Sequence, residues 1–326
     1  MEQPERIKII CRNCEAKFDV TDFEPFSSFI CPECGTKLRV PRQFGPYQLD
    51  KICGRGGMSN IFRAIDPEFS RYVAVKILRA EVAADESLRR HFLAQAQLIA
   101  KIDHPGVVPI YDSGVFQEQT YLVMKYMDGG SFEHLMNHGQ LPELPVLLNA
   151  LASVAGGLQA LLRTGIIHHD VKPGNIMFNR EDGNAGLVDF DLAESPLMDG
   201  VMSGSEDWAS PAYVSPEWLE TGKEDFRGDI FSFGVTAYEL ITGQIPYLTD
   251  GDALVLLERR RHPIYLQASD LNPAISSEFS AFLDAIMAYR PADRPEYPEI
   301  IRAFQKESLR LSAKPGALKR IFNIFR

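Results

Sequence analysis

The stretch that most constrains this chain lies in its middle: His168-His169-Asp170-Val171-Lys172-Pro173-Gly174-Asn175, then the apolar Gly186-Leu187-Val188 running into Asp189-Phe190-Asp191. The D-x-K-x-x-N spacing puts a carboxylate, an ammonium and a carboxamide on one short loop, with a second carboxylate at a strand end. Moving a phosphoryl group calls for this set. A carboxylate orients an attacking hydroxyl and accepts its proton, a cation stands by the moving phosphate, and an amide oxygen with a carboxylate holds one or two Mg²⁺ ions. Asp170 fits the first role, Lys172 the second, and Asn175 with Asp189 the third. A lone His-x-Asp is weak evidence, since a buried His beside an Asp is commonly structural; the whole block is specific.

The rest of such a site stands upstream in order. Gly54-Arg55-Gly56-Gly57-Met58-Ser59 is a glycine-rich loop, where absent side chains let backbone N–H groups approach phosphates. It precedes Val73-Ala74-Val75-Lys76, an apolar strand whose lysine can reach the α and β phosphates. A helix is expected over about Leu88 to Lys101, from apolar Leu88, Phe92, Leu98 and Ile102. Tyr121 to Met127 reads as a strand entering a linker, which Asp128-Gly129-Gly130 breaks.

From about Tyr47 to about Phe304 the chain resembles a eukaryotic-like (Hanks-type) Ser/Thr protein kinase of the bacterial branch. The residues that carry the resemblance are Gly-Gly-Met-Ser in the glycine loop, His104-Pro105, Asp170-x-Lys172, Ser215-Pro216-Glu217, Asp229-Ile230-Phe231-Ser232-Phe233-Gly234 and Arg294-Pro295. The resemblance implies an α+β, two-lobed kinase fold, with a β-rich N-lobe, a helical C-lobe and ATP in the cleft. It implies Gly54, Gly56, Gly57 and Ser59 over the phosphates, Lys76 anchoring them, Met124 as gatekeeper, and the backbone of Lys125 and Met127 holding adenine. It also implies Mg²⁺ (or Mn²⁺) on Asn175 and Asp189, a Glu217–Arg294 ion pair, Asp229 supporting the catalytic loop, and protein substrates. Lys172 points to Ser/Thr acceptors. The alternative class is a nucleotide-binding scaffold with weak or no transfer.

Three positions depart from the family pattern. Gln95 stands where helix C carries Glu, and a neutral partner for Lys76 loses about 1–2 kcal/mol of interaction. His169 replaces the Arg that receives a phosphorylated activation loop, which argues against switching by loop phosphorylation. Asp191 replaces Gly, and its carboxylate either strengthens metal binding or repels phosphates. In the segment between Asp189 and Glu217, Ser210 takes the place of the substrate-contacting Thr. Ser203 and Ser205 read either as autophosphorylation sites or, with Ser195, as part of a polar loop.

The N-terminal segment carries an independent signal. Cys11-Arg12-Asn13-Cys14 and Cys31-Pro32-Glu33-Cys34 are two C-x-x-C knuckles, whose four thiolates close a tetrahedral structural zinc site, the zinc-ribbon arrangement. Paired disulfides or a redox dithiol are the competing readings; no signal peptide precedes Cys11 and no βαβ pattern surrounds it. So short a segment needs zinc for stability, with Phe18, Phe23, Phe26 and Phe29 as its core and one of them open to a partner. Basic Arg6, Lys8, Arg12, Lys17, Lys37, Arg39 and Arg42 are balanced by Glu2, Glu5, Glu15, Asp19, Asp22, Glu24 and Glu33, so no nucleic-acid footprint is expected. Docking of a protein partner or dimerisation is one reading, and a passive cap is the other.

The 326 residues divide as zinc ribbon 1–40, linker 41–46, kinase domain 47–306 and basic amphipathic tail 307–326. A net charge of −10 opposes general affinity for nucleic acid or anionic membranes. The tail sets Arg310, Lys314, Lys319, Arg320 and Arg326 among Leu318, Ile321, Phe322 and Phe325, so it lies weakly on a membrane, docks in a partner groove or packs back on the kinase. No membrane span is expected, and the expected place is the cytoplasm, with peripheral contact at the inner membrane open. Cys53, beside the glycine loop, is either a packing residue near the adenine side or a redox-sensitive thiol.

Overall fold

The computed structural model describes residues 7–190 and 211–313. Expectations placed on Asp191, Ser195, Ser203, Ser205, Ser210 and the tail from Lys314 onward lie outside the described residues. The chain divides into two compact units, Met1–Ala100 with Pro109–Tyr126, and Lys101–Val108 with Met127–Arg326.

The first unit opens with two hairpins, β1 (Lys8–Ile10) with β2 (Lys17–Asp19) and β3 (Ser28–Ile30) with β4 (Lys37–Arg39). Their turns are the two cysteine knuckles, built alike: Cys11 N–H donates to Ala16 O and Cys31 N–H to Thr36 O, each at 2.8 Å. Each knuckle leaves through a left-handed residue, Glu15 (φ 59°) and Gly35 (φ 72°). An antiparallel six-stranded sheet follows, in the order β5-β6-β7-β8-β10-β9. Its strands are β5 (Arg42–Phe44), β6 (Tyr47–Arg55), β7 (Ser59–Asp66), β8 (Arg71–Leu78), β9 (Ile110–Phe116) and β10 (Gln119–Lys125). Period-two alternation buries Phe44, Leu49, Phe62, Val73, Val75 and Val123 in one core. Between β8 and β9 come α1 (Ala80–Ala83) and α2 (Glu86–Ile99). α2 begins before Leu88 because Asp85 caps it, accepting from the Ser87 and Leu88 N–H groups. Its buried face is Phe92, Gln95, Ala96 and Ile99.

Two sequence expectations change here. The segment 41–46 is not a free linker: β5 pairs with β6 through Arg42↔Leu49 and Phe44↔Tyr47, and Phe44 is buried. The aromatic alternation of that short stretch, rather than its prolines, decides its state. The four ribbon phenylalanines also do not share one core. Phe18 and Phe23 pack on Phe29 (5.6 and 5.4 Å between ring centroids), whereas Phe26 stacks on Phe62 of β7 at 6.0 Å. Phe26 can face the sheet because its backbone is left-handed (φ 65°) and its N–H donates to Val40 O. A second anchor comes from the first knuckle, where the Arg12 guanidinium lies 4.9 Å over the Tyr72 ring of β8.

The second unit is mainly helical. A three-stranded sheet, β11 (Gly130–Ser131), β12 (Ile176–Phe178) and β13 (Ala185–Leu187), frames the segment that holds Asp170. The helices are α3 (Phe132–Asn137), α4 (Leu144–Arg163), α5 (Pro216–Thr221), α6 (Phe226–Thr242), α7 (Ala253–Arg261), α8 (Ala268–Leu271), α9 (Ser277–Ile286) and α10 (Tyr297–Ser312). By length and composition α4 could cross a membrane, but it is a core helix here, with Leu148, Leu151, Val154 and Leu158 buried. α6 is buried nearly all round. α10 packs on α4 and runs past residue 306, so 307–312 continue the folded helix instead of starting a separate tail. The cause is Glu307, buried on α10, which accepts from Ser276 N–H at 2.6 Å and from Arg310.

Candidate active site and metal centre

In the second unit, residues 168–175 join α4 to β12, and buried Asp229 of α6 gives this segment its shape. One Asp229 oxygen accepts from His168 N–H and the other from His169 N–H, each at 2.8 Å. The His168 ring is fully buried, 4.9 Å from the Phe190 ring. Its Nδ1 accepts from Asp170 N–H (3.3 Å), so Nε2 carries the proton and donates to Val188 O (3.1 Å). His169 and Asp189 are both left-handed (φ 62° and 66°), conformations that cost non-glycine residues about 1–3 kcal/mol and cluster at functional sites.

Asp170, Lys172 and Asn175 come together as the spacing predicts. Lys172 Nζ lies 2.9 Å from Asp170 Oδ2, and Asn175 Nδ2 donates to the same oxygen at 2.7 Å and to Asp170 O at 2.9 Å. With its NH₂ committed to Asp170, Asn175 has its amide oxygen left to offer. Val188 N–H donates to Asn175 O (3.0 Å), which brings Asp189 beside Asn175. A carboxamide oxygen with a carboxylate is a hard donor pair that suits Mg²⁺ or Mn²⁺. Met127, also in this unit, is buried and accepts from Gly130 N–H.

In the first unit, Gly54 lies near the end of β6, paired with Ile61 of β7, and Gly56–Met58 form the turn between the two strands, closed by Gly56 N–H donating to Ser59 O at 2.8 Å. A Cβ at Gly57 would meet nothing within 4 Å, so the backbone there is open to an approaching group. Ser59 is buried at the start of β7. Lys76 sits in register with Ile61 and Leu122, is 4 % exposed, and places Nζ 5.6 Å from the Phe92 ring centroid. Gln95, one turn beyond Phe92, is buried on the same helix face. Met124 is buried in β10, where Lys125 pairs with Val73 of β8, and Lys125 N–H donates to Pro109 O (2.9 Å). Cys53 is exposed on β6 rather than packed; crowding by neighbouring atoms outweighs the Arg63 backbone and the Lys51 and Arg63 charges and pushes its pKa up, against a reactive thiolate.

The expected brace is present. Arg294, with no exposed side-chain surface, bonds Glu217 twice (2.6 and 2.7 Å) and also donates to Arg227 O and Ala288 O. Removing one partner of such a pair strands the other, so Arg294→Ala should cost about 3–5 kcal/mol, read as a lower urea midpoint at unchanged slope. A loss under about 1 kcal/mol, the range of exposed pairs, would contradict that burial.

Sequence reading missed two groups. Arg260 looks like one of a solvated run on α7, yet it is buried and donates to the carbonyls of Pro211, Ala212 and Val214. Burial pulls its pKa down to about 10. The only signal was the weak periodicity of α7, which does not say which arginine faces inward. The other group is Glu224, whose Oε1 lies 2.9 Å from His169 Nδ1.

The four ribbon cysteines also converge, all within 4.8 Å of one another. The Cys11–Cys34 and Cys14–Cys31 sulfurs are 3.6 Å apart, whereas a disulfide needs about 2.05 Å and the edge of a ZnS₄ tetrahedron is about 3.8 Å. The cluster can therefore hold one metal ion. Cys34 is drawn down to about 5, first by the Thr36 hydroxyl and then by Asn13. Cys14 moves the other way, to about 12: the Ala16 backbone favours its thiolate, but crowding and the other sulfurs outweigh it. A bound dication removes that opposition among the sulfurs.

A protein kinase domain model matches residues 47–304. The serine/threonine-protein kinase PknL of Mycobacterium tuberculosis is 34% identical over 249 residues, 76% of this chain and 62% of PknL. A probable serine/threonine-protein kinase of Streptomyces coelicolor is 34% identical over 273 residues, 80% of this chain and 39% of that protein. The chain thus spans less than two thirds of the length of these relatives. The crystal structure of the Mycobacterium tuberculosis PknI kinase domain superposes with a TM-score of 0.61 at 25% identity, covering 83% of this chain and 99% of that one. With the Asp170–Lys172–Asn175 set assembled and the matched region taking in both units, this chain belongs to the protein kinase family.

Proposed function

We propose that this chain transfers the γ-phosphoryl group of ATP to serine and threonine hydroxyls of protein substrates. The observation that carries the reading is the Asp170 carboxylate, held by Lys172 and Asn175 in a bonded set. Asp170 orients the acceptor hydroxyl and takes its proton as the oxygen attacks, while Lys172 offsets charge on the γ-phosphate. Asn175 and Asp189 are the residues that would hold Mg²⁺ or Mn²⁺, which when bound supplies charge neutralisation at the phosphates. Lys76 and the backbone of Gly54, Gly56 and Gly57 are suited to the nucleotide phosphates, with Ser59 beside them. The backbone of Lys125 and Met127 is suited to adenine. A Gln at position 95 can offer Lys76 a hydrogen bond but not an ion pair, which weakens positioning of Lys76 without removing any group at the phosphate.

The four cysteines are read as a structural zinc site, supported by the sulfur spacing. Exposed Ile10, Phe23 and Ile30 on the ribbon support a protein-docking role for its outer face. Reduced, metal-ready thiols support a cytoplasmic place.

The test is intact mass of the full chain after incubation with Mg²⁺·ATP, alone and with casein as acceptor. Added phosphate on the chain or on casein is expected. Bound nucleotide with no transfer to either, in Mg²⁺ and in Mn²⁺, would overturn the reading.

A further inference from the structure

His169 has neighbours that phosphoryl transfer as described above does not use. His169 Nδ1 lies 2.9 Å from Glu224 Oε1, and the other Glu224 oxygen accepts from the Ser215 hydroxyl. Ser215 Oγ in turn accepts from Trp218 N–H (3.2 Å) as the N-cap of α5. The Glu224 and His169 side chains are 7% and 11% exposed. A carboxylate this buried is costly unless both its oxygens are bonded, and here both are. Room for it comes from Gly228, where a Cβ would stand 2.1 Å from Glu224 Oε2.

We propose that Glu224 is a positioning residue for phosphoryl transfer: a buried carboxylate that ties the catalytic loop at His169 to the start of α5 at Ser215, and so fixes where Asp170 stands. This rests on the phosphotransfer reading above. The geometry gives the reason. His169 is held in a left-handed conformation immediately before Asp170, and two carboxylates hold it there: Asp229 takes its backbone N–H and Glu224 engages its ring. Asp229 alone fixes the backbone amides of 168 and 169 but does not reach α5. Glu224 adds that link, joining the catalytic loop to the helix that carries Glu217 and its Arg294 brace. The anion facing position 169 is thus supplied by the connection between α5 and α6. Burial pushes the Glu224 pKa up, and the bonds to His169 and Ser215 offset only part of that rise.

The test compares the full chain with Glu224→Ala, His169→Ala, the double variant and His169→Arg, with Mg²⁺·ATP and casein. Misplacing Asp170 should lower kcat on the order of 10- to 100-fold in each alanine variant. The KM for ATP should stay within about twofold, since no group on the nucleotide is removed. Because the two residues act through each other, the double variant should be no slower than the slower single one. His169→Arg should recover most of kcat, its guanidinium reaching the same carboxylate. Additive losses, or a lower melting temperature with kcat intact, would overturn the proposal. If Glu224→Ala does not fold, Glu224→Gln replaces it, keeping size and the Ser215 bond. Amide exchange of 168–170 without nucleotide probes the tie independently of turnover. Faster exchange in Glu224→Gln supports the tie, and unchanged exchange overturns it. An inactive wild-type chain whose variant exchanges faster would overturn the phosphotransfer reading alone.

Discussion

Asp170→Ala should abolish phosphate transfer while leaving the fold in place. The carboxylate accepts from both Lys172 (2.9 Å) and Asn175 (2.7 Å), so its removal takes away the proton acceptor and releases both neighbours at once. General-base catalysis by a positioned group contributes on the order of 10²- to 10⁴-fold, and that loss is expected in kcat with little change in the KM for ATP. Asn175 keeps its bond to the Asp170 carbonyl (2.9 Å), and the backbone of the preceding residues stays clamped by Asp229. The melting temperature should therefore move by only a few degrees. Asp170→Asn sharpens the test, since it keeps the shape and an acceptor oxygen but is a far weaker proton acceptor. If either variant kept more than a tenth of the wild-type rate, Asp170 would not hold the role given to it.

How much of this was legible in the sequence follows from how local each constraint is. Asp170, Lys172 and Asn175 sit within six consecutive residues, and the loop that spacing implies is the one that forms. The cysteine knuckles are equally local, each turn closing on its own backbone, so convergence of four sulfurs could be read from two short motifs. What was not legible depends on distant partners. Phe26 reads like the other ribbon phenylalanines, and only the position of Phe62 on β7 decides that it leaves their cluster. Arg42–Phe44 reads as a linker by its flanking prolines, while the open edge of β6 makes it a strand. Glu224 and Arg260 look like ordinary surface charges. Their burial is set by Gly228 leaving space in one case and by three backbone carbonyls converging in the other. In each case the missing information is which face of a short element meets the core, and a single chain does not encode that in its spacing.

With zinc on the four cysteines as proposed above, stripping it should unfold the ribbon and loosen the sheet that it packs on. Four short strands with three clustered phenylalanines bury too little apolar area to fold unaided, and zinc bound by such sites supplies about 10–16 kcal/mol of folding free energy. The consequence passes to the kinase sheet through two contacts. Phe26, which is half-buried, would leave Phe62, at about 1–2 kcal/mol, below the figure for a fully buried apolar side chain. Arg12 would leave Tyr72, at about 0.5–1 kcal/mol for an exposed cation–π pair. Together these should lower the melting temperature of the sheet on the order of 10 °C, measured by calorimetry before and after a strong chelator. Cys14→Ser should do the same without chelator, with one equivalent of zinc lost per chain. Phe26→Ala separates the two stages: it should lower sheet stability while zinc stays bound. Amide exchange locates the effect, with protection lost first across 7–40 and then along β7. Unchanged protection over 7–40 after the metal has gone would show that the ribbon is held by its packing on the sheet, with the cysteines serving some other end.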